Sequence, residues 1–437
     1  MTNEFKQDTI ALHGGQTVDP ITRSRAVPLY QTTSYVFDDT EHAASLFKLQ
    51  GSGYLYSRNS NPTNDVLEKR LAALEGGVGA FAVASGQAAI LLAVLTVAQV
   101  GDEIVSTNAL YGGTYTLFER TLPRFGITVR FVDGADLAAI EAVINDKTKA
   151  IFTETIGNPS LQIADIEGIS EVAHRHGVPV IVDNTFATPY LAKPFEHGAD
   201  IIVHSTTKFI GGHGTSIGGA IIDSGNFEWN AKRFPTFVEK NPLIDNRSFV
   251  EASGKAAFVT KARFELGHDL GATLSPFNAW LFIQGLESLS VRIRQHVANA
   301  EAVAVFLEQH DLVEWVNYPS LTGDAQNDVA AKYLPKGAGS IFSFGIKGGL
   351  EAAKAFINSV ELLSHVANVG DSKSLVIHPA STSHSRLTPE QQISSGVTPG
   401  LIRLSIGLED IEDILADLEQ ALQKASEQVL VSLKEEN

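Results

Sequence analysis

Six short apolar runs recur through the first half of the chain, with polar or amphipathic stretches between them. AFAVAS (80–85), EIVSTNA (103–109), TVRFVDG (128–134), KAIFTET (149–155), PVIVDNT (179–185) and DIIVHST (200–206) combine apolar and β-branched residues and end in polar ones, as strands buried on both faces do. DIEGISEVAHRHG (165–177) spaces its apolar residues as a helix does. Strands alternating with helices predict an α/β fold with a mainly parallel sheet covered on both faces and a site at the strands' C-terminal ends. Ahead of the first run, Asn61-Pro62 supplies an N-cap and a proline at the first helical position. Val66, Leu67, Leu71 and Leu74 then share one face, and Gly76-Gly77 stops the helix.

Towards the C-terminus the pattern changes. Leu281, Gln284-Gly285-Leu286, Leu289, Ile293 and Val297 predict one long helix linking two parts of the molecule. SIFSFGI (340–346) and LIRLSIG (401–407) read as strands, and Ile411, Ile414, Leu415, Leu418, Leu422, Ala425 and Val429 form the packed stripe of a C-terminal helix. Three divisions are expected: an N-terminal arm over 1–61, a large domain over 62–275 and a smaller C-terminal domain over 276–437. The arm has little helical periodicity but carries Tyr30, Tyr35, Phe37, Tyr54 and Tyr56. A segment with so little core of its own is disordered or packs on a partner, and the aromatics favour a partner.

Composition narrows the function. A hydrophobic content of 44% with 19% charged residues suits a globule with a large core. The longest apolar run, 88–98, is well short of the ~18 residues that a membrane span needs. The N-terminus shows no basic start followed by an apolar core, so a cytoplasmic protein is expected. The absence of cysteine excludes disulfides, thiolate nucleophiles and zinc–thiolate sites, so any sulfur chemistry must use a substrate's sulfur. A net charge of −17 argues against nucleic acid or an anionic membrane as partner.

Candidate chemistry centres on IIVHSTTKFIGGHG (201–214): a buried strand, then Ser205, Thr206, Thr207 and Lys208, then a glycine-rich turn. A lysine at the end of a buried strand is partly desolvated, which lowers its pKa and equips it as a base or as a Schiff-base amine. Asp183 ends the preceding run, and a carboxylate between buried strands needs a cation or several hydrogen bonds; a pyridinium nitrogen would serve. Ser85-Gly86-Gln87 stand between a strand and an apolar helix, where free N–H groups bind an anion, and Ser205 and Thr207 offer it hydroxyls. A phosphate held by a helix N-terminus, a carboxylate for a ring nitrogen and a lysine for an aldehyde are the needs of pyridoxal 5'-phosphate. Arg403, inside an otherwise apolar strand, requires either an internal acidic neighbour or a substrate. His204 and His213 flank Lys208, but their spacing matches no helical ligand pair and no metal is expected.

Nine motifs occur in the order found in one family: YSRNSNPT from Tyr56, ASGQAA, YGGTY, ETIGNPS, DNTFATP, HSTTKFIGGHGTSIGG, LSPFNAWLFIQGLESL, NVGDSKSLVIHPASTSH and LIRLSIGLED. On these motifs the chain resembles the fold-type I pyridoxal-phosphate enzymes of Cys/Met (transsulfuration) metabolism. The resemblance implies an aspartate-aminotransferase-like fold with a mainly parallel seven-stranded sheet in the large domain and a smaller α+β domain. It implies that Lys208 carries the cofactor and moves protons, Asp183 pairs with the ring nitrogen, and Tyr111 stacks on the ring near the leaving group. Asn158, otherwise a turn residue before proline, is placed near the ring oxygen and the substrate carboxylate. Arg403 is expected to bind that carboxylate, with Ser374 beside it. Tyr56 and Arg58, which on their own read as surface decoration, are implied to bind the cofactor phosphate of a neighbouring subunit. A homotetramer built from dimers that share active sites follows.

Within the family, the long insertion between Phe227 and Ser275, the GHGTSIGG pattern and Gln87 point to the sulfhydrylase branch, and YGGTY lacks the cysteine of methionine γ-lyases. The implied reaction is γ-replacement, converting O-acetyl-L-homoserine and sulfide to L-homocysteine and acetate in methionine biosynthesis. Methionine γ-lyase, cystathionine γ-synthase and a succinyl-using sulfhydrylase share the same ring chemistry and remain alternatives. A non-catalytic phosphate-binding module would use the same turn and hydroxyls but leaves Asp183 and Arg403 without a purpose.

Overall fold

The structure, a computed structural model, describes residues 5–382, 385, 388–394 and 396–435, with backbone alone for 389, 394 and 429–435. Val429 of the C-terminal stripe therefore lies outside the described side chains, and Ser383 and His384, the end of the NVGDSKSLVIHPASTSH motif, lie outside the described residues.

The apolar runs form β1 (Gly79–Val83), β2 (Glu103–Thr107), β3 (Thr128–Val132), β4 (Thr148–Glu154), β5 (Val180–Asp183) and β6 (Ile201–His204), and β7 is Gly219–Asp223. They make one seven-stranded sheet in the order β1-β7-β6-β5-β4-β2-β3. From β3 to β6 every pairing is parallel. Strand β7, which the hydrophobic pattern does not single out, runs antiparallel to both β1 and β6. It follows the glycine-rich turn directly, so it returns beside β6 without a crossover helix. Strands β4 to β6 are buried along nearly their whole length, consistent with helices on both faces.

A second sheet comprises β8 (Val313–Asn317), β9 (Ile341–Ile346), β10 (Ser364–His365), β11 (Leu375–Ile377) and β12 (Leu401–Ser405), in the order β10-β11-β12-β9-β8. The C-terminal helix Ile411–Glu435 buries Ile414, Leu418, Leu422 and Ala425 in the main core, with Ile411 and Leu415 packed at its margin.

Two local expectations need correction. The long linking helix is two helices, Pro276–Glu287 and Leu289–Glu308, broken at Ser288. The Gly285 carbonyl that would accept from Leu289 in a continuous helix is taken by the Arg292 guanidinium at 2.7 Å. Arg292 also donates to Phe209 O at 2.8 Å, tying this break to the turn after Lys208. The N-terminal segment, in turn, contains two short helices, Gln7–His13 and Thr40–Phe47, the second capped by Asp39, which accepts from His42 N–H at 2.6 Å.

The 227–275 insertion packs Trp229 face to face on Phe237, ring centroids 4.0 Å apart, against Phe234 and Phe258. Arg263, within it, donates to Glu68 at 2.7 Å and to Ala80 O at 2.8 Å, joining the insertion to β1 and to the Pro62–Glu75 helix.

A Cβ added at Gly285 would stand 2.2 Å from Ile210 O, a backbone atom that cannot swing away. Gly285→Ala should therefore destabilise the protein by about 1–3 kcal/mol through overpacking, read as a lower midpoint in chemical denaturation.

Candidate active site

Strands β4, β5 and β6 end together, and a cavity of about 330 Å³ opens beyond them. Its walls include Ser85, Gly86, Gln87, Tyr111, Asn158, Asp183, Ser205, Thr207, Lys208 and Arg403. Ten of the residues expected to act together are thus drawn from separate elements into one space, at the sheet edge where parallel strands deliver their side chains.

Lys208 is held just past β6 by the hydrogen bond from its own N–H to Ser205 O at 3.2 Å. Its Nζ donates to Asn368 Oδ1 at 2.7 Å. Burial, reinforced by the nearby Arg403 cation, pushes the Lys208 amine down to about 8. Asp183 accepts from the Thr185 N–H at 2.9 Å, and burial raises its pKa. Arg403 is 4% exposed and donates to Asn158 Oδ1 at 3.0 Å and to Asn368 O at 3.3 Å. No carboxylate pairs with it among the described residues, and burial lowers it to about 10. A buried guanidinium with only amide partners is set to receive a planar anion.

The opposite end of the cavity is built for a small tetrahedral anion. Ser85 caps the Gly86–Val97 helix, its Oγ accepting from Ala88 N–H at 3.1 Å. The N–H groups of Gly86 and Gln87 precede any intrahelical acceptor, and both residues line the cavity. This approach demands glycine: a Cβ at Gly86 would sit 2.6 Å from Ser205 Cβ, and one at Gly219 would sit 2.1 Å from Ser85 O. Thr207 Oγ1 is anchored to both the O and the N–H of Gly218, each at 3.1 Å. Tyr111 lies between these ends and is 44% exposed; a Cβ at Gly113 would meet its ring at 2.4 Å, so Gly113 leaves room for the ring.

These groups fit pyridoxal 5'-phosphate. Helix N–H groups and hydroxyls suit its phosphate, a largely desolvated carboxylate with no cation bonded to it among the described residues suits a pyridinium, and a desolvated amine suits its aldehyde. A match to the model of one family, the Cys/Met metabolism PLP-dependent enzymes, extends over residues 8–423. The chain belongs to that family.

The chain is 56% identical to the O-acetyl-L-homoserine sulfhydrylase of Leptospira meyeri, over 97% of this chain and 98% of that one. It is 52% identical to the homocysteine synthase of Schizosaccharomyces pombe, over 96% and 98% of the two chains. Its fold matches the crystal structure of a Campylobacter jejuni chain provisionally named an O-acetylhomoserine (thiol)-lyase, with a TM-score of 0.93 and 45% identity over 96% of this chain and 100% of that one. That crystal structure contains N'-pyridoxyl-lysine-5'-monophosphate.

Three expected residues lie away from the cavity. Ser374 does not flank Arg403: its Oγ donates to Glu409 at 2.8 Å and accepts from Gly407 N–H at 2.8 Å, while Arg403 stands opposite Ile377 in the sheet. Asn368 takes that place. Tyr56 and Arg58 do not line their own chain's cavity; Tyr56 is 45% exposed, and Arg58 contacts His268 at 3.4 Å with its guanidinium 5.4 Å from the Tyr56 ring centroid. His204 and His213 are drawn apart, His204 to Glu75 at 2.6 Å and His213 to Gly211 O at 2.6 Å.

Sequence reading passed over Glu154, Thr185 and Asn368, all of which line the cavity. Glu154 and Asn368 open two quoted motifs, so the available signal was a polar residue at the edge of each motif.

The Lys208 value sets a pH dependence. Its neutral fraction rises with pH through about 8, so labelling of Lys208 in the cofactor-free protein by a small aldehyde, followed by mass spectrometry, should be half-maximal there. Arg403→Gln removes a facing cation and should move that midpoint upward.

Proposed function

We propose that the protein catalyses γ-replacement on O-acetyl-L-homoserine with sulfide, yielding L-homocysteine and acetate, as the direct sulfhydrylation step of methionine biosynthesis. The observation that carries this reading is the pairing of Lys208 and the uncompensated Arg403 in one cavity, bridged by Asn368, in a chain whose relatives bear that activity in their names.

Lys208 would bind pyridoxal 5'-phosphate covalently, Asp183 its ring nitrogen, Tyr111 its face, and Ser85, Gly86, Gln87, Ser205 and Thr207 its phosphate. When bound, the cofactor supplies an electron sink for carbanions formed on the amino acid. Arg403, with Asn158, holds the substrate's α-carboxylate and so fixes which C–H bond faces the lysine. The Lys208 amine, depressed to about 8, is sufficiently basic and sufficiently neutral to take the α-proton and to move protons between carbons. Its flexible stem lets one residue serve both tasks. Acetate leaves the γ-carbon, where sulfide adds, and Tyr111 stands at the mouth of that space.

Residues 1–61 act as an arm that reaches a second copy, 62–275 as the cofactor-binding domain and 276–437 as the small domain. Ile21 (89% exposed), Val36 (98%), Phe47 and Tyr56 leave apolar surface uncovered on the arm, which supports burial against another copy. Tyr56 and Arg58 then complete the neighbour's phosphate site within a homotetramer working in the cytoplasm. No described helix is long and apolar enough to cross a membrane.

Offered sulfide, cysteine and methanethiol together with O-acetyl-L-homoserine, the holoenzyme should release homocysteine as its main product; cystathionine, from cysteine, as main product would indicate a synthase instead. Lys208→Ala should abolish turnover, whereas Arg403→Ala should lower kcat/KM by about two orders of magnitude, the scale expected for a buried charge partner. Mixing inactive Lys208→Ala with inactive Arg58→Ala protein and allowing subunit exchange should restore activity, because a hybrid dimer contains one intact shared site; no recovery after proven exchange would exclude the sharing.

A further inference from the structure

Register at the ends of β4 and β5 sets Glu154 opposite Asp183. Cross-strand partners share a face, and both carboxyl groups line the cavity. Glu154 is 7% exposed, and its Oε1 accepts a hydrogen bond from the Tyr111 N–H at 2.8 Å. Among the described residues no cation pairs with it: Lys208 turns to Asn368, Arg403 to Asn158 and Asn368, and His204 to Glu75. The cavity-lining Thr114, Gln87 and Ile90 carry no charge, and on the other face of β4 Thr153 bonds the neutral Thr107 of β2.

A buried carboxylate with one N–H donor and a second carboxylate alongside cannot readily ionise. Asp183 is the better anion of the two, since it has the Thr185 N–H and the nearby His204 ring. We propose that Glu154 carries the single proton of this pair, leaving Asp183 negative for the pyridinium nitrogen, and that its Oε1 positions Tyr111 over the ring. Burial and the Asp183 charge push Glu154 well above the ordinary carboxyl range, in the same sense. Glu154 is thus a positioning residue, acting through Asp183 and Tyr111. The inference rests on the cofactor reading above for its purpose, though the location of the proton does not.

Holoenzymes of wild type, Glu154→Gln and Glu154→Ala test it. Glutamine keeps the shape, the acceptor for Tyr111 and the neutral charge, so kcat/KM should stay within about threefold and the pH midpoint of the bound cofactor's colour change should not move. Alanine removes the acceptor and should lower kcat/KM about tenfold or more with cofactor still bound; an alanine enzyme as active as wild type overturns the Tyr111 role. Thermal midpoints supply a readout independent of turnover. The unfolded wild-type chain releases the Glu154 proton above the ordinary value of 4.5, while the folded chain keeps it, so wild type loses stability relative to Glu154→Gln as pH rises. The midpoint of Glu154→Gln minus that of wild type should therefore rise as the pH is raised above about 5.

A signed difference that stays constant or falls as the pH rises would show an ionised Glu154 and overturn the proposal. So would a colour midpoint that falls by about one unit or more in Glu154→Gln, because removing an anion disfavours the protonated, cationic form. A wild-type protein that binds no pyridoxal phosphate would overturn the proposed function instead, and the thermal gap would still report on Glu154.

Discussion

Desolvation of charge at the ends of three adjacent strands is the constraint on which the site depends. Strands β4, β5 and β6 are parallel and in register, so their termini place Glu154, Asp183 and His204 at one edge, with Lys208 a short turn beyond. Water is largely kept from these groups, and each must find a partner or change its protonation state. Asp183 has few bonds of its own, Lys208 is driven towards neutrality, and Arg403 is buried with amides in place of a counter-ion. These costs are what make the cavity a receptor: a cationic ring, an aldehyde and two anionic groups each relieve one of them.

The rest of the fold brings those groups together. Close approach at Gly86 and Gly219 lets the start of the Gly86–Val97 helix meet the residues after β6, concentrating N–H groups and hydroxyls at one end. At the other end the second sheet contributes Arg403 from β12 and the 367–369 segment contributes Asn368, so this wall of the cavity is drawn from the chain beyond the large sheet. Arg292 ties the linking helices to the backbone of Phe209 and Ile210, immediately after Lys208. The same guanidinium takes the Gly285 carbonyl, so the helix break at Ser288 and the anchoring of the turn after Lys208 have one cause.

Legibility differed sharply between kinds of residue. Lys208, Asp183 and Ser85 were readable because each follows a β-branched run and breaks its pattern, and such breaks mark strand ends in a parallel sheet. Glu154 also ends a run, but a glutamate at a strand end is ordinary until its neighbour is known to be a second buried carboxylate. Ser374 was expected beside Arg403 from the family resemblance alone, but Glu409, folding back from beyond β12, takes its hydroxyl. The single long helix was expected because apolar spacing runs unbroken through Ser288, and spacing says nothing of a side chain arriving from Arg292 to take a backbone carbonyl.

The chain's own pattern determined the alternating α/β plan, the lysine-centred chemistry and the need for an anion at an apolar helix's start, because periodicity and desolvation are local properties that neighbouring residues express. Only the tertiary structure decided that β7 runs antiparallel beside β6, that Asn368 links Lys208 to Arg403, that Glu154 stands against Asp183, and that Tyr56 and Arg58 do not line their own chain's cavity. Each of these is a contact between residues distant in sequence or a direction in space, set by strand order and side-chain packing across the whole molecule, and no short-range pattern encodes it.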